Sequence, residues 1–221
     1  MPLRCALSLF DPPISCSLCH SSVSDIGGGS VDNDTLYSLA RIPLRWMIRE
    51  CFKTNTGIMF MSDGMRKLGL DPASLYPYVL PRPPPLDVSH ARIQGIPRAP
   101  PKNHYAEPDD LTKVYKSEEE CELLDAMSPI YDQLSLAKWW WILELIPIKQ
   151  RFQRSSSTQW ERVLSMNLGR GRVIPGQKKR KIKIHRSVKM RMDTEYEDGT
   201  KYVPKASFQT ALSLGNVQWV D

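Results

Sequence analysis

The 221 residues hold 41% hydrophobic and 24% charged side chains, an ordinary globular balance with enough chain for one domain and a real core. The net charge of +6 is modest and gathers late in the chain, which argues for a local anionic contact and against a nucleic-acid-binding protein. No apolar run reaches the length of about 18 residues that a helical membrane span needs, and eighteen prolines are too many for a uniformly compact fold, so part of the chain is expected to be loop.

Residues 1–24 carry little pattern. Arg4 precedes a short apolar stretch from Ala6 to Phe10 that Pro12 and Pro13 cut off, too short for the apolar region of a signal peptide. Five cysteines, an odd number without a secretion signal, fit free thiols in a reducing, cytoplasmic compartment. The run Cys16-Ser17-Leu18-Cys19-His20 has the spacing of a haem-attachment motif or of half a zinc site. No export signal and no second Cys/His pair at ligand spacing accompany it, so the expectation is unpaired thiols, no metal and no cofactor. The whole stretch is read as a leader, either disordered or not a true part of the reading frame.

The next stretch is Asp25-Ile26-Gly27-Gly28-Gly29-Ser30. Consecutive glycines allow positive φ and close approach by other groups, and an Asp beside them is also ordinary turn material. Asp34 and Thr35 offer N-cap chemistry for a helix. From Leu36 to Phe52 apolar residues recur at i, i+3 and i+4, with Pro43 as a kink or as the start of a second helix. Arg41, Arg45, Arg49 and Lys53 fall at steps of four, a stripe read as a solvated basic face. Asn55-Thr56-Gly57 is a stop signal, Ile58 to Met61 a short strand or apolar loop, and Asp63 to Leu70 a weak helix.

Residues 76–108 are proline-rich and read as a surface loop with polyproline II character, in which Pro81-Arg82-Pro83-Pro84 has the form of an SH3-type ligand. Ser117-Glu118-Glu119-Glu120 is a capping box that opens a helix with Cys121, Leu124, Met127 and Ser128 on one face. A further helix over 136–147 contains Trp139, Trp140 and Trp141. Two readings stand for it: packing in the core, or docking at a lipid interface with Lys149 and Arg151 near headgroup phosphates. Beyond it lies the cluster Lys178, Lys179, Arg180 and Lys181, a solvated loop, a nuclear-localisation patch or an anionic-lipid contact. Ile182-Lys183-Ile184-His185 alternates like a half-buried strand.

The run from His20 through Asp25-Ile-Gly-Gly-Gly-Ser-Val to Asp34-Thr-Leu-Tyr-Ser-Leu-Ala-Arg-Ile-Pro-Leu-Arg-Trp-Met-Ile-Arg-Glu50 resembles an uncharacterised α/β-hydrolase domain family. Type VI secretion phospholipase effectors are its best-understood members, and fungal-type proteins form a large branch. The C-terminal segments Trp139 to Arg151, Asn167 to Arg172, His185-Arg-Ser-Val-Lys-Met-Arg191 and Tyr202 to Ala206 resemble the same family. The resemblance implies that the histidine of a His-x-Asp-(Val/Ile)-Gly-Gly-Gly motif is the base of a Ser-His-Asp triad, here His20. Asp25, Gly27, Gly28 and Gly29 would shape the motif's turn, and His185 would hold a structural position. Four residues, Ser21 to Ser24, separate His20 from Asp25 where the family has one. The implied activity is hydrolysis of a phospholipid or other acyl ester through an acyl-serine.

A serine hydrolase places its nucleophile on a strained Gly-x-Ser-x-Gly elbow, and this chain contains none. The fold expected from the resemblance is therefore an incomplete α/β-hydrolase-like domain over 25–221, mostly helical with few short strands and long proline-rich loops, and inactive alone. The alternative is a noncatalytic module that binds anionic membranes through the tryptophan helix and the cluster Lys178 to Lys181; a nuclear protein read through that cluster is the third possibility.

Overall fold

The computed structural model describes residues 29, 31–32, 35–95, 116–153, 160–171, 173–174, 182–208 and 217–220. Helices dominate, with a few short strands between them. In chain order these are α1 (Arg41–Lys53), α2 (Ser62–Lys67), α3 (Glu118–Met127), α4 (Gln133–Leu136), α5 (Trp141–Leu145), β1 (Ile148–Gln153), β2 (Trp160–Ser165), β3 (Val173–Ile174), β4 (Ile182–His185), α6 (Arg186–Asp193), β5 (Ser207–Phe208) and β6 (Val217–Val220).

The centre of the arrangement is α3, with α1 and α6 both packed against it. Its start is set locally. Ser117 Oγ accepts from the Glu120 amide at 3.2 Å while the Glu120 carboxylate accepts from the Ser117 amide at 2.8 Å, the reciprocal capping box that the sequence predicts. Three glutamates in its first turn favour the positive end of the helix dipole. At the other end, Arg191 of α6 donates to the carbonyls of Ala126 and Ser128, groups that the helix leaves without internal partners.

Helix α1 begins later than its apolar pattern suggests. Its N-cap is Ala40, without a side-chain capping bond, so Asp34-Thr35 does not open it. Pro43 falls within the first turn, where a missing N–H costs nothing and no kink results. Asn55 and Gly57 take positive φ at the other end, as the stop signal requires. The stretch from Ile58 to Phe60 is loop, with Met59 95% exposed.

Two apolar clusters flank α1. Leu39, Ile42, Ile93, Ala126, Met127, Ile130, Met190 and Tyr202 form one, and Ile48, Met65, Leu70 and Leu75 the other. Gly69 lets the second cluster close on α3: at φ +83° it lies where an added Cβ would stand 2.7 Å from Cys121 Sγ.

The predicted solvated stripe on α1 holds at Lys53, which is exposed, and is overturned at Arg45 and Arg49. Arg45 and Arg49 are 3% and 7% exposed, because carboxylates on α3 face them. Glu118, Glu122 and Asp125 occur at i, i+4 and i+7, within an arc of about 60° on the helix surface. Arg45 donates to Asp125 at 2.5 Å and Arg49 Nε to Glu118 at 2.9 Å, and the Ser38 amide donates to Asp125 at 2.9 Å. From the proline-rich stretch Arg82 reaches Glu122 at 2.6 Å and Glu118 at 3.3 Å. An SH3 ligand needs that arginine free, so this reading of Pro81-Arg82-Pro83-Pro84 also falls.

Among the described residues the strands form three two-stranded ladders. β1 and β2 pair antiparallel from Ile148 opposite Ser165 to Gln153 opposite Trp160; β3 pairs parallel with β5, and β4 pairs parallel with β6. Ile182 to His185 is thus a strand, as its alternation predicts, and α6 leaves it directly. No helix among the described residues is long and apolar enough to cross a membrane.

Removing Asp125 leaves Arg45 buried without its carboxylate. The Asp125→Ala variant is expected to lose about 3–5 kcal/mol of unfolding free energy, read by urea denaturation at neutral pH. Adding Arg45→Met and placing Leu at 125 should restore part of that loss, and a loss unchanged by this double replacement would show that the pair is not its source.

Candidate functional site

The sequence-predicted residues separate into three groups. His20, Asp25, Gly27 and Gly28 lie outside the described residues, as do Lys178, Lys179, Arg180 and Lys181 and the motif Cys16 to Cys19. Gly29 is described: it sits in an exposed turn, and a Cβ added to it would meet nothing within 4 Å, so no neighbour requires a glycine there. Trp139, Trp140 and Trp141 are described in full.

The tryptophans are not in the core. The predicted single helix over 136–147 is instead a 3-10 turn, Lys138–Trp140, that leads into α5. The Trp139 and Trp140 rings stack at 4.1 Å with 25° between their planes. Trp141 is fixed by its indole N–H, which donates to the Leu134 carbonyl at 3.2 Å, and its ring lies over Gly169, where a Cβ would come within 2.8 Å of it. Trp139 and Ile142 remain 58% and 64% exposed, and no second layer among the described residues covers them. Core packing is therefore excluded for this face.

Of the acid–base groups that do converge, only His185 is named from the sequence, there for a structural position. His185 is the N-cap of α6 and is buried, as are Ser187 and Glu122. Its Nδ1 accepts from the Ser187 amide at 3.3 Å and lies 2.9 Å from Ser187 Oγ. That bond assigns the ring proton to Nε2, which points at Glu122 Oε1 from 3.6 Å. Serine, histidine and carboxylate in this order resemble a catalytic triad, but three properties make the group structural. Ser187 is 1% exposed and cannot meet a substrate. Glu122 is already held by Arg186 at 2.6 and 2.8 Å and by Arg82. Burial pushes the His185 imidazole down to about 4, only partly offset by Glu122 and reinforced by Arg82 and Arg186, so it is a weak base.

The carboxylates on α3 diverge for the same physical reasons. Burial alone would raise Glu122, yet the hydrogen bonds from Arg186 and the charge of Arg82 hold it at about 2. For Asp125 burial outweighs Arg45 and Arg41, and its carboxyl is raised. A spacing match between Arg41, Arg45 and Arg49 on one helix and Glu118, Glu122 and Asp125 on another was the available sequence signal for this seam. Either stripe taken alone reads as a solvated face. Among the described residues Cys51 and Cys121 are free thiols, and no group of three His, Cys, Asp or Glu could hold a metal ion.

No family model matches the chain, and no curated protein or solved structure matches it.

Acidification should weaken the fold through His185 first. Its folded value lies below the ordinary 6.5, so the unfolded chain takes up the proton earlier, and stability falls as the pH drops from about 6.5 to about 4. Glu122 adds a loss between 4.5 and about 2, whereas raised Asp125 acts in the opposite direction, its contribution present below 3.8 and lost as the pH rises. His185→Asn keeps a capping acceptor and removes the titration, so its Tm should change less between pH 7 and pH 4.5 than that of the parent chain. Equal slopes in thermal melts would show that His185 does not titrate in this window.

Proposed function

We propose that this chain is part of a serine ester hydrolase of α/β-hydrolase type, acting on a phospholipid or another acyl ester, and that the chain as given is inactive because it lacks the nucleophile elbow. One observation supports the reading. Two stretches within the segments that carry the resemblance, Arg41 to Arg49 and His185 to Arg191, supply buried arginines that clamp α3 from two sides. Residues quoted for a likeness of sequence are thus also the ones on which the packing rests.

In this reading His20 takes the proton of a serine hydroxyl as the oxygen attacks the acyl carbonyl, then returns it to the departing alcohol. Water repeats the cycle on the acyl-serine. Asp25 and the glycines shape the turn beside the histidine, where backbone N–H groups can approach closely. A second reading, a noncatalytic module on anionic membranes, draws on the exposed tryptophans and not on a catalytic group. The two are compatible, since an esterase of lipids must reach an interface.

The test is to determine the transcript upstream of the Asp25 codon and to treat its product with a fluorophosphonate probe. The reading expects a Gly-x-Ser-x-Gly frame, labelling at that serine, and a loss of ester hydrolysis on the order of 10⁴-fold or more in His20→Ala. The chain as given should stay unlabelled. An upstream sequence without the elbow, or activity indifferent to His20, would overturn it.

A further inference from the structure

The segment 133–171 packs largely on itself: α4 and α5 on the 3-10 turn between them, and β1 on β2. It exposes a concentration of large apolar side chains. Along the 3-10 turn and α5, Trp139, Ile142, Leu143 and Leu145 are 58%, 64%, 50% and 55% exposed, and Ile146, extended just past the helix, is 46% exposed. Apolar side chains this large normally face a core, and here they face outward. On the hairpin Leu164 of β2 pairs with Lys149 of β1 and shares its face with Arg162, so that face carries an exposed apolar side chain between cations. An isolated two-stranded hairpin is marginal in water, so a covering surface would also stabilise this ladder.

The chemistry of the cover follows from the charges around it. Between residues 138 and 171 there are six lysines and arginines against two glutamates. One of the two acids, Glu144, is committed to the fold: it accepts from Asn167 Nδ2 at 2.6 Å and from the Gly169 amide at 2.9 Å. Lys138, Lys149, Arg162 and Arg170 are exposed on the same segment. Indole rings and aliphatic side chains accompanied by cations suit a surface that is apolar below and anionic above. A second copy fits less well, since a two-fold contact would set these cations against themselves.

We propose that the exposed face of α5 and the β1–β2 hairpin is a docking surface for an anionic lipid bilayer, with Trp139, Ile142, Leu145 and Leu164 entering the headgroup region and Lys138, Lys149, Arg162 and Arg170 meeting lipid phosphates. The docking rests on the membrane-module reading, depends on no catalytic group and stands apart from the ester-hydrolase reading. Trp141 positions the face through Leu134 and Gly169 and is left intact in the test.

The full chain is sedimented with vesicles of phosphatidylcholine alone or with about 30% phosphatidylserine. Binding to the anionic vesicles should exceed binding to the neutral ones by about tenfold or more and fall with added salt. Brominated lipids should quench tryptophan fluorescence on binding. The double variant Ile142→Glu, Leu164→Glu alters two exposed side chains and should lose most of the binding, with circular dichroism unchanged. Met59→Glu, on an exposed loop elsewhere, should keep it. Absence of binding to anionic vesicles overturns the proposal, as does equal loss in Met59→Glu. A dimer that the double variant dissociates, without vesicle binding, assigns the face to a second copy and also overturns it.

Discussion

A carboxylate taken out of water costs several kcal/mol unless cations and hydrogen-bond donors surround it, and α3 turns three of them inward. Glu118, Glu122 and Asp125 bring Arg45 and Arg49 from α1, Arg82 from the proline-rich stretch and Arg186 from α6 into one buried seam. The elements that lack regular hydrogen bonding are held by the same charges. Arg186 also donates to the Pro83 carbonyl and Arg49 lies 3.3 Å from the Leu80 carbonyl, so residues 80–83 are anchored without a helix or a ladder. Apolar burial fills the sides of the seam, and the ionic pairs fix which helix faces which.

This division of labour explains how so short a set of strands suffices. Two-stranded parallel ladders have both edges open and are normally buried within larger sheets. Here β4 runs directly into α6, and its Ile184 and His185 are buried beside the charged seam. Register is thus imposed by the helix that follows and by its arginines, not by a wide sheet. The β1–β2 hairpin is not continuous with a helix of that seam. Its Ile148, Val163 and Leu164 are exposed.

His185 illustrates why proximity is not catalysis. A general base must combine access with a proton affinity near the working pH. The imidazole has a serine and a carboxylate within a few ångströms, yet it is 2% exposed and its basicity is suppressed by burial and by two neighbouring arginines. Its task is to close the first turn of α6, which in turn aims Arg186 at Glu122 and Arg191 at the end of α3. The histidine with a hydrolytic assignment is His20, and that assignment comes from likeness of sequence.

What the sequence determined by itself is local. The capping box at Ser117, the stop at Asn55 to Gly57 and the alternation of Ile182 to His185 each depend on residues within a few positions, and each is present in the fold. The tertiary structure decided everything that needed a distant partner. Arg45 and Arg49 read as solvent-facing until Asp125 and Glu118, some 70 to 80 residues away, are seen opposite them. The tryptophans of 139–141 read first as core and second as an interfacial face, because periodicity shows that a helix has an apolar face but not whether anything covers it. Only the folded chain, with the seam drawing α1, α3 and α6 together and leaving α5 outside, places that face in solvent.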